Sequence, residues 1–391
     1  MRKLNYNSYI GGSNWQVSDK IYHKLTGKRI QSNYYPIIPL SVQYSPSFIP
    51  NKKLFCLLWG RPTFKDTDSQ YLLHVFDEQE IDYIISTSSG NTVESMARSL
   101  KEYNNETKKD LKAILLVPEI SSFKVSKSVI ENNPYVKYII LKNATLDSTR
   151  NFSEKLKEVL SKSYEIVLAD ANLKTAAYSQ IGHVLDQINI LNNDTCYVQT
   201  VSGGVGVTGF IEYALENALN PEILVVQPSS NTSTPILDAL NEAAINHDPL
   251  SVFEKQKYET SSIESTLGST KPIYAIKKFI HWMEIGGRIL PCQISNQDIL
   301  DQKDIIVQKL VNAQIYPNLD VGLKFFELEK SGVIAFIGAI KSANIIKSKN
   351  IIVNLTGRYP ENSSFLPSSA TPDLVYDPNQ GINQLIEILN L

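Results

Sequence analysis

The chain has 391 residues, of which 42% are apolar and 20% charged, and its formal net charge is −2 at neutral pH. This length is sufficient for two to three domains with a large buried core. Lysines and arginines are dispersed among acidic residues rather than gathered in a stripe, which argues against a nucleic-acid partner.

The cysteines and the N-terminus indicate the compartment. Cys56, Cys196 and Cys292 lie far apart without a Cys-x-x-Cys pair, which argues against a zinc site or a disulfide framework and suits a reducing compartment. The five histidines form no spaced cluster, so no metal is expected. No signal peptide is visible, and no apolar run approaches the roughly 20 residues that span a bilayer. We therefore expect a cytoplasmic protein with no membrane partner.

From residue 54 onward, short apolar runs alternate with longer amphipathic ones. Leu54–Trp59 is predicted as a buried strand with a helix at 66–80, and Tyr83–Ser86 as a strand with a helix at 92–103. Further strands are predicted at Ile114–Val117, Val136–Leu141, Ile166–Ala169, Tyr197–Val201, Ile223–Gln227, Ile289–Gln293 and Ile351–Leu355. Strands separated by helices of ten or more residues predict an α/β fold with mainly parallel sheets, each covered by helices on both faces.

The same pattern predicts two domains. We expect a smaller domain at 82–170, inserted into a larger domain formed by 1–81 and 171–391. Three short segments stand out because each lies where a strand gives way to a helix. In open α/β sheets, ligands bind at such carboxyl ends of strands.

The first segment, Pro62–Asp66, contains Lys65. Burial near the sheet edge would disfavour the charged ammonium and so favour the neutral amine that a Schiff base needs. The alternative is a solvated lysine in a turn, since most lysines are surface charges.

The second segment is Ser88–Thr92, with the sequence Ser-Ser-Gly-Asn-Thr. Its small residues leave backbone N–H groups pointing outward at a helix N-terminus, which is typical of a carboxylate or phosphate site. The alternative is an N-cap that only starts the helix.

The third segment, Ser202–Gly209, holds four glycines that allow the backbone to approach a phosphate closely. Gly204-x-Gly206-x-x-Gly209 also fits the dinucleotide fingerprint. However, this loop lies mid-chain, and the strand after its helix ends at Gln227 without the acidic residue that the fingerprint expects.

Together, these segments resemble the fold type II pyridoxal-phosphate enzymes, which are similar to the tryptophan synthase β fold, and within them the threonine synthase-like proteins. The family's Ser-Phe-Lys-Asp is matched by Thr63–Asp66, and its Ser-Thr-Gly-Asn-Thr by Ser88–Thr92. Its Thr-Gly after a C-terminal strand is matched by Thr356-Gly357. The glycine loop resembles that of cysteate synthase-like and cysteine synthase-like relatives. The resemblance covers about residues 35–360 and implies a homodimer with a small amino-acid substrate. It also implies that the larger domain binds the cofactor and that the smaller domain is mobile and carries the Ser88–Thr92 substrate loop.

The resemblance implies a role for each matched residue. Lys65 would form the Schiff base with pyridoxal 5'-phosphate and act as general base, and Asn91 would bind the cofactor's phenolic oxygen. Thr356 would face the pyridine nitrogen. The cofactor phosphate would be held by Ser202, Gly203, Gly204, Val205, Gly206 and Val207. The substrate would be held by Ser88, Ser89, Gly90 and Thr92, and an anionic group on it by Arg61 and Arg358.

The chain also departs from threonine synthases around the substrate. Thr67 replaces an arginine, 172–179 keeps only the first residue of an Asn-Pro-x-Arg-x-Glu-Gly-Gln segment, and Arg358 replaces a histidine. The leading hypothesis is elimination or replacement at Cβ or Cγ of a phosphorylated amino acid, O-phosphoserine or O-phosphohomoserine. The alternatives are a serine/threonine deaminase-like lyase, a catalytically silent paralogue that binds the cofactor, and, from the glycine loop alone, a nucleotide-binding oxidoreductase.

Overall fold

The chain folds into two units, which we describe separately. Unit 1 comprises residues 1–29, 37–64 and 174–365, and unit 2 comprises 30–36, 65–173 and 366–391. The computed structural model describes residues 5–10, 15–45, 49–59, 64–88, 90–229, 235–246, 248–255, 263–264, 267–269, 272–328, 330–356 and 368–391.

Strands and helices alternate over most of the chain. The strands are β1 (Asn5–Ile10), β2 (Ile38–Ser45), β3 (Lys53–Trp59), β4 (Tyr83–Thr87), β5 (Lys112–Pro118), β6 (Val136–Leu141), β7 (Ile166–Leu168), β8 (Thr195–Thr200), β9 (Glu222–Ser229), β10 (Arg288–Ser295), β11 (Asn350–Leu355) and β12 (Leu374–Tyr376). The helices are α1 (Trp15–Thr26), α2 (Asp66–Val75), α3 (Asn91–Thr107), α4 (Lys127–Ile130), α5 (Leu146–Leu160), α6 (Ala171–Tyr178), α7 (Gln180–Gln187), α8 (Val205–Glu216), α9 (Pro235–Asn246), α10 (Ser251–Lys255), α11 (Ile273–Glu284), α12 (Asn296–Asn312), α13 (Leu319–Leu328), α14 (Ser331–Lys341) and α15 (Ile382–Leu389).

Unit 1 is built on a seven-stranded sheet in the order β1-β2-β3-β11-β8-β9-β10. The five strands from β3 to β10 are parallel, and β2 and β1 add an antiparallel edge. Every residue of β8 and β9 is buried, as is typical of central strands in a parallel sheet that is covered on both faces. Helix α14 packs closely on this sheet, since a Cβ at Gly338 would lie 2.4 Å from Val226 Cγ2.

Unit 2 contains a parallel five-stranded sheet in the order β12-β6-β5-β4-β7. Its core is formed by aliphatic side chains of β4–β6 and α5, together with Tyr376 and Leu385 near the C-terminus. Helix α5 begins with a capping box, in which Thr145 and Ser148 exchange hydrogen bonds with each other's backbone N–H.

The predicted α/β fold class with mainly parallel sheets is confirmed. Besides residues 82–170, unit 2 includes α2, which packs on α3, and β12, which pairs with β6. The division into domains at 82–170 stays a prediction. The roles expected for the two domains, cofactor binding and substrate-loop movement, stay predictions. Among the described residues, no helix is both long and apolar enough to cross a membrane.

Candidate active site

The sheet of unit 1 brings the ends of three strands to one edge. These strands lead to Phe64, Thr356 and the glycine loop. Strands β3, β11 and β8 are direct neighbours and parallel, so their carboxyl ends lie side by side. The chain leaves β3 toward Phe64, leaves β11 at Thr356 and leaves β8 into the glycine loop. This is the edge at which ligands bind in open α/β sheets.

Phe64 anchors the segment that contains the candidate lysine. Its ring is 2% exposed and stacks on Tyr178, with a 4.3 Å centroid separation and a 1° interplanar angle. A Cβ on Gly206 would lie 2.9 Å from Phe64 Cζ, so the glycine loop and Phe64 are in close contact. Because Lys65 follows Phe64 directly, its Cα lies about 3.8 Å from that of Phe64. Phe64, the residue directly before Lys65, therefore contacts the glycine loop.

The glycine loop has the geometry of an anion-binding helix start. Gly204 has φ +73° and precedes α8, and a Cβ there would lie 2.4 Å from Ala275 Cβ. The first hydrogen bond of α8 runs from Thr208 N–H to the Gly204 carbonyl (3.2 Å). The N–H groups of 205–207 precede that bond and have no acceptor within the helix. Ser202 Oγ accepts a hydrogen bond from the backbone N–H of Ser269 (3.1 Å), which fixes the loop on its other side.

Thr356 lies beside the start of the glycine loop. Its hydroxyl is 3.3 Å from that of Thr200, the last residue of β8. Thr356 is half-buried, whereas Thr200 is 3% exposed. The structure therefore brings Thr356 and Ser202–Val207 together just beyond the ends of the adjacent strands β11 and β8.

A buried polar network lies on the same two strands. Asn354 Nδ2 donates to Tyr197 Oη (2.6 Å) and to Gln199 Oε1 (3.1 Å), and Tyr197 donates to Gln199. Complete burial raises the pKa of the Tyr197 hydroxyl well above its usual range, against a smaller opposing effect of the Asn354 hydrogen bond. The hydroxyl therefore stays protonated and remains a donor. The sequence analysis did not identify this network, because its residues are brought together only by the pairing of β8 and β11.

The Ser88–Thr92 segment connects β4 to α3 in unit 2. Ser88 is 8% exposed, and its Oγ accepts a hydrogen bond from the Thr92 N–H (3.2 Å). Gly90 has φ +117°, which L side chains rarely adopt. Asn91 is 9% exposed and is the first residue of α3. The Ser88 hydroxyl therefore accepts a hydrogen bond from the first turn of α3, and the binding role of the segment stays a prediction.

Lys124 is buried beside the Ser88–Thr92 segment. The residue is 2% exposed, and its Cβ would be 2.8 Å from a Cβ on Gly90. By contrast, the Lys127 side chain is 54% exposed and pairs with Glu131 at 3.3 Å. A buried lysine therefore packs directly against the predicted substrate loop, and its neighbour three residues on is an ordinary surface charge.

Asp66, the residue after Lys65, links the lysine segment to the helix of the Ser88–Thr92 loop. Its carboxylate accepts hydrogen bonds from Arg98 Nη1 (3.0 and 3.2 Å) and from the Ser95 hydroxyl. Both donors lie on α3, which begins at Asn91. The sequence analysis missed Arg98, because the 32 residues that separate it from Asp66 carry no local signal of their contact.

Three predicted residues, Arg61, Ser89 and Arg358, lie outside the described residues, and their roles stay predictions. A separate cleft of about 430 Å³ lies at the C-terminal end of α8, the opposite end from the glycine loop. It is lined by Lys20, His183, Asp186, Tyr213, Glu216 and neighbouring residues, none of which belongs to the predicted site.

The residues present fit a phosphorylated aldehyde cofactor. Unit 1 supplies backbone N–H groups at a turn where Gly204 and Gly206 leave no room for side chains, and the hydroxyl of Thr356. Within unit 2, Lys65 and Asn91 carry the amine and the side-chain amide that the resemblance assigns to the cofactor. In the part of the chain that the structure describes, no group of three or more His, Cys, Asp or Glu side chains is arranged to hold a metal ion.

Solved structures with the same fold are enzymes. A pyridoxal 5'-phosphate-dependent aspartate racemase is 16% identical over 87% of this chain and 94% of its own, with a TM-score of 0.55. Threonine deaminase isoform 2 from Solanum lycopersicum is 16% identical over 80% of each chain (TM-score 0.55). Cysteine synthase from Entamoeba histolytica is 13% identical over 81% of this chain and 84% of its own (TM-score 0.53). No protein-family model and no curated protein sequence matches the chain. These identities show a common fold alone, and the threonine synthase-like subtype stays a prediction.

Proposed function

We propose that the chain is a pyridoxal-phosphate-dependent enzyme that acts on a small amino acid and binds its cofactor through Lys65. The observation that carries this proposal is the contact of Phe64 with Gly206, which couples the lysine segment to the glycine loop at one sheet edge. The fold shared with a pyridoxal 5'-phosphate-dependent racemase supports the choice of cofactor.

Each residue has a defined task in this proposal. The N–H groups of Gly203–Val207 bind the cofactor phosphate, and Asn91 and Thr356 orient its ring. The cofactor, when bound, accepts the electron pair left when a bond to the substrate α-carbon breaks. Lys65 Nζ, released when the substrate binds, takes up the α-proton. Ser88 and Thr92 bind the substrate carboxylate.

For the reaction, we propose elimination or replacement at Cβ or Cγ of a phosphorylated amino acid, O-phosphoserine or O-phosphohomoserine. A neutral hydroxyl at position 356 does not hold the ring nitrogen protonated, which favours elimination and replacement over transamination. Lys124, buried against Gly90, supports an anionic substrate group near the loop. We further propose that the protein is cytoplasmic and forms a homodimer. Light scattering of the purified protein tests the dimer.

A serine/threonine deaminase-like lyase is the second candidate. It is favoured by the fold shared with a threonine deaminase, which matches this chain as well as the racemase does by TM-score. It would use the same lysine and the same loops, so the described residues do not separate it from the first candidate.

The cofactor is tested by spectroscopy and peptide mapping. Purified protein should show a visible absorbance that borohydride removes, and the reduced adduct should map to Lys65. The Lys65→Arg variant should lose both signals, whereas Lys349→Arg, at a side chain 82% exposed in unit 1, should keep them. An adduct elsewhere, or binding of a dinucleotide instead, would overturn the proposal.

The reaction is tested by incubation with serine, threonine, O-phosphoserine and O-phosphohomoserine. Phosphate release together with a new amino acid supports elimination or replacement. Keto acid release from serine or threonine without a nucleophile supports the deaminase, and accumulation of a D-amino acid would show a racemase instead. Bound cofactor without turnover of any amino acid would support a silent paralogue.

A further inference from the structure

The first turn of α2 contains three consecutive buried polar side chains. Thr67, Asp68 and Ser69 are 0%, 2% and 1% exposed. Within the part of the chain that the structure describes, neither the two hydroxyls nor the two carboxylate oxygens have a hydrogen-bond partner. A buried carboxylate or hydroxyl without a hydrogen-bond partner destabilises the folded state, because it loses its hydrogen bonds to water without replacement. The loss of stability from these unpaired groups indicates that the turn has a functional role.

Lys65 belongs to the same turn. Its backbone is helical (φ −72°, ψ −13°), and its carbonyl accepts a hydrogen bond from the Ser69 N–H (3.2 Å). Asp68 and Ser69 are therefore three and four residues beyond Lys65 in a continuous helical turn. Side chains at these spacings lie on the same helix face, with Cβ atoms about 5–6 Å apart.

The opposite face of α2 is occupied by α3. Asp66 bonds to Ser95 and Arg98, and Gln70 donates to Glu102 Oε2 (3.1 Å). Asp68 lies about 160–200° around the helix from these two residues, at 100° per residue. It is therefore turned away from α3 and toward the face that Lys65 shares.

We propose that Asp68 is a positioning residue for Lys65. This inference rests on the proposed function, because Asp68 acts when Lys65 takes up the substrate α-proton. When Lys65 Nζ takes the substrate α-proton, the C–H bond breaks, its electron pair stays with the substrate, and the amine becomes an ammonium. The Asp68 carboxylate then accepts a hydrogen bond from that ammonium, and Ser69 Oγ accepts a second. Asp68 and Ser69 destabilise the resting protein because they lack hydrogen-bond partners. They are retained because they stabilise the protonated lysine during turnover.

The other charged groups around this turn are already compensated. On α2 itself, Asp66 pairs with Arg98. On α3, Glu94 also pairs with Arg98 and accepts from the Ser126 N–H, and Glu102 accepts from Gln70. Asp68 is thus the carboxylate on the lysine face whose charge no described cation balances.

The test is the reactivity of Lys65 in the full-length chain freed of cofactor. Acetic anhydride acylates only the neutral amine, so a carboxylate that stabilises the ammonium slows labelling. At one fixed pH near neutral, Asp68→Asn should label at Lys65 about tenfold faster than the wild type. Asp68→Glu should restore slow labelling. Glu102→Gln makes the same charge change on the α3 side and should leave the rate unchanged. Equal rates in the wild type and Asp68→Asn would overturn the proposal.

Thermal unfolding separates positioning from a structural role. When Lys65 holds the cofactor it has no free ammonium for Asp68 to stabilise, so in the cofactor-bound protein the Tm of Asp68→Asn should equal or exceed that of the wild type, whereas a clear fall would show that the carboxylate has a structural partner. Borohydride mapping is read independently. If Asp68→Asn labels faster but borohydride maps no cofactor to Lys65, the proposed function is wrong and the interaction of Asp68 with Lys65 stands. If the cofactor maps to Lys65 but Asp68→Asn labels at the wild-type rate, only the interaction of Asp68 with Lys65 is wrong.

Discussion

The ring of Phe64 lies flat against that of Tyr178, with 4.3 Å between the ring centroids. Tyr178 is the last residue of α6 and is fully buried. A Cβ on Gly209 of α8 would lie 2.6 Å from Tyr178, so the stack rests on the helix that follows the glycine loop. Phe64 is therefore held from two sides, by Tyr178 and by Gly206, immediately before Lys65.

Removing the Phe64 ring should weaken both stability and cofactor binding. Phe64→Ala is expected to lower the free energy of unfolding by about 3–5 kcal/mol, because it leaves a cavity and loses the stack. The affinity for pyridoxal phosphate should fall with it, since the lysine backbone loses its anchor. Urea unfolding and an absorbance titration measure the two effects. Phe64→Leu should cost clearly less, and Ile305→Ala, at a side chain 59% exposed, should change neither. Unchanged cofactor affinity in Phe64→Ala would contradict the coupling.

Gly204 should tolerate no side chain. Its left-handed φ is strained for alanine, and the new Cβ would clash with Ala275. We expect Gly204→Ala to weaken cofactor binding at least tenfold, because the backbone that binds the phosphate must shift. Equilibrium dialysis with pyridoxal phosphate measures this.

Gly286→Ala is the matched control for this substitution. Gly286 also has a positive φ (+92°), but a Cβ added there would meet no heavy atom of the described chain within 4 Å. Its substitution should cost about 1 kcal/mol of stability and leave cofactor affinity unchanged. Equal losses of affinity in both variants would indicate a general effect of backbone strain.

The parts of the fold predicted from the sequence are those with a local signal. Strand β9 holds the apolar run Ile223–Val226, and the glycine loop is marked by its own composition. β12 was not predicted, because three residues are too few to show a period and its pairing with β6 connects positions more than 230 residues apart.

The parts of the candidate site that were missed depend on distant contacts. The burial of Lys124 was not predicted, because its packing against Gly90 joins positions 34 residues apart. Likewise, the sequence places Asp68 in a helix but does not reveal that its carboxylate is buried without a partner. Such features follow from packing between elements rather than from the pattern within one.

Arg98 should be essential for the stability of unit 2. Arg98→Ala leaves the carboxylate of Asp66, which is 5% exposed, without its charged partner. We expect a loss of about 3–5 kcal/mol, as for other broken buried pairs. Denaturant unfolding checks this. Lys127→Ala breaks the exposed i,i+4 pair with Glu131 and should cost at most about 0.5 kcal/mol. A similar small loss in both variants would show that Asp66 is satisfied by Ser95 alone.

Asp77, another buried carboxylate in unit 2, is expected to contribute to how stability depends on pH. Asp77 is 4% exposed, and it accepts hydrogen bonds from the Tyr103 hydroxyl (2.9 Å), Lys109 Nζ (3.0 Å) and the Asn33 N–H (3.0 Å). Burial raises the pKa of the Asp77 carboxyl, but these hydrogen bonds and the Lys109 charge outweigh it, so that the pKa lies below its usual value.

A lowered pKa in the folded state means that ionised Asp77 contributes stability above the unfolded-state pKa of about 3.9, and that this contribution is lost as the pH falls through the folded value. Asp77→Asn should therefore reduce the free energy of unfolding by about 2 kcal/mol at pH 7, with a deficit that shrinks steadily below about pH 4. Urea unfolding of both proteins across this range measures the difference. Asp110→Asn, at a side chain 74% exposed, should match the wild type throughout. A deficit in Asp77→Asn that stays constant down to low pH would show that the contribution of Asp77 does not depend on its charge.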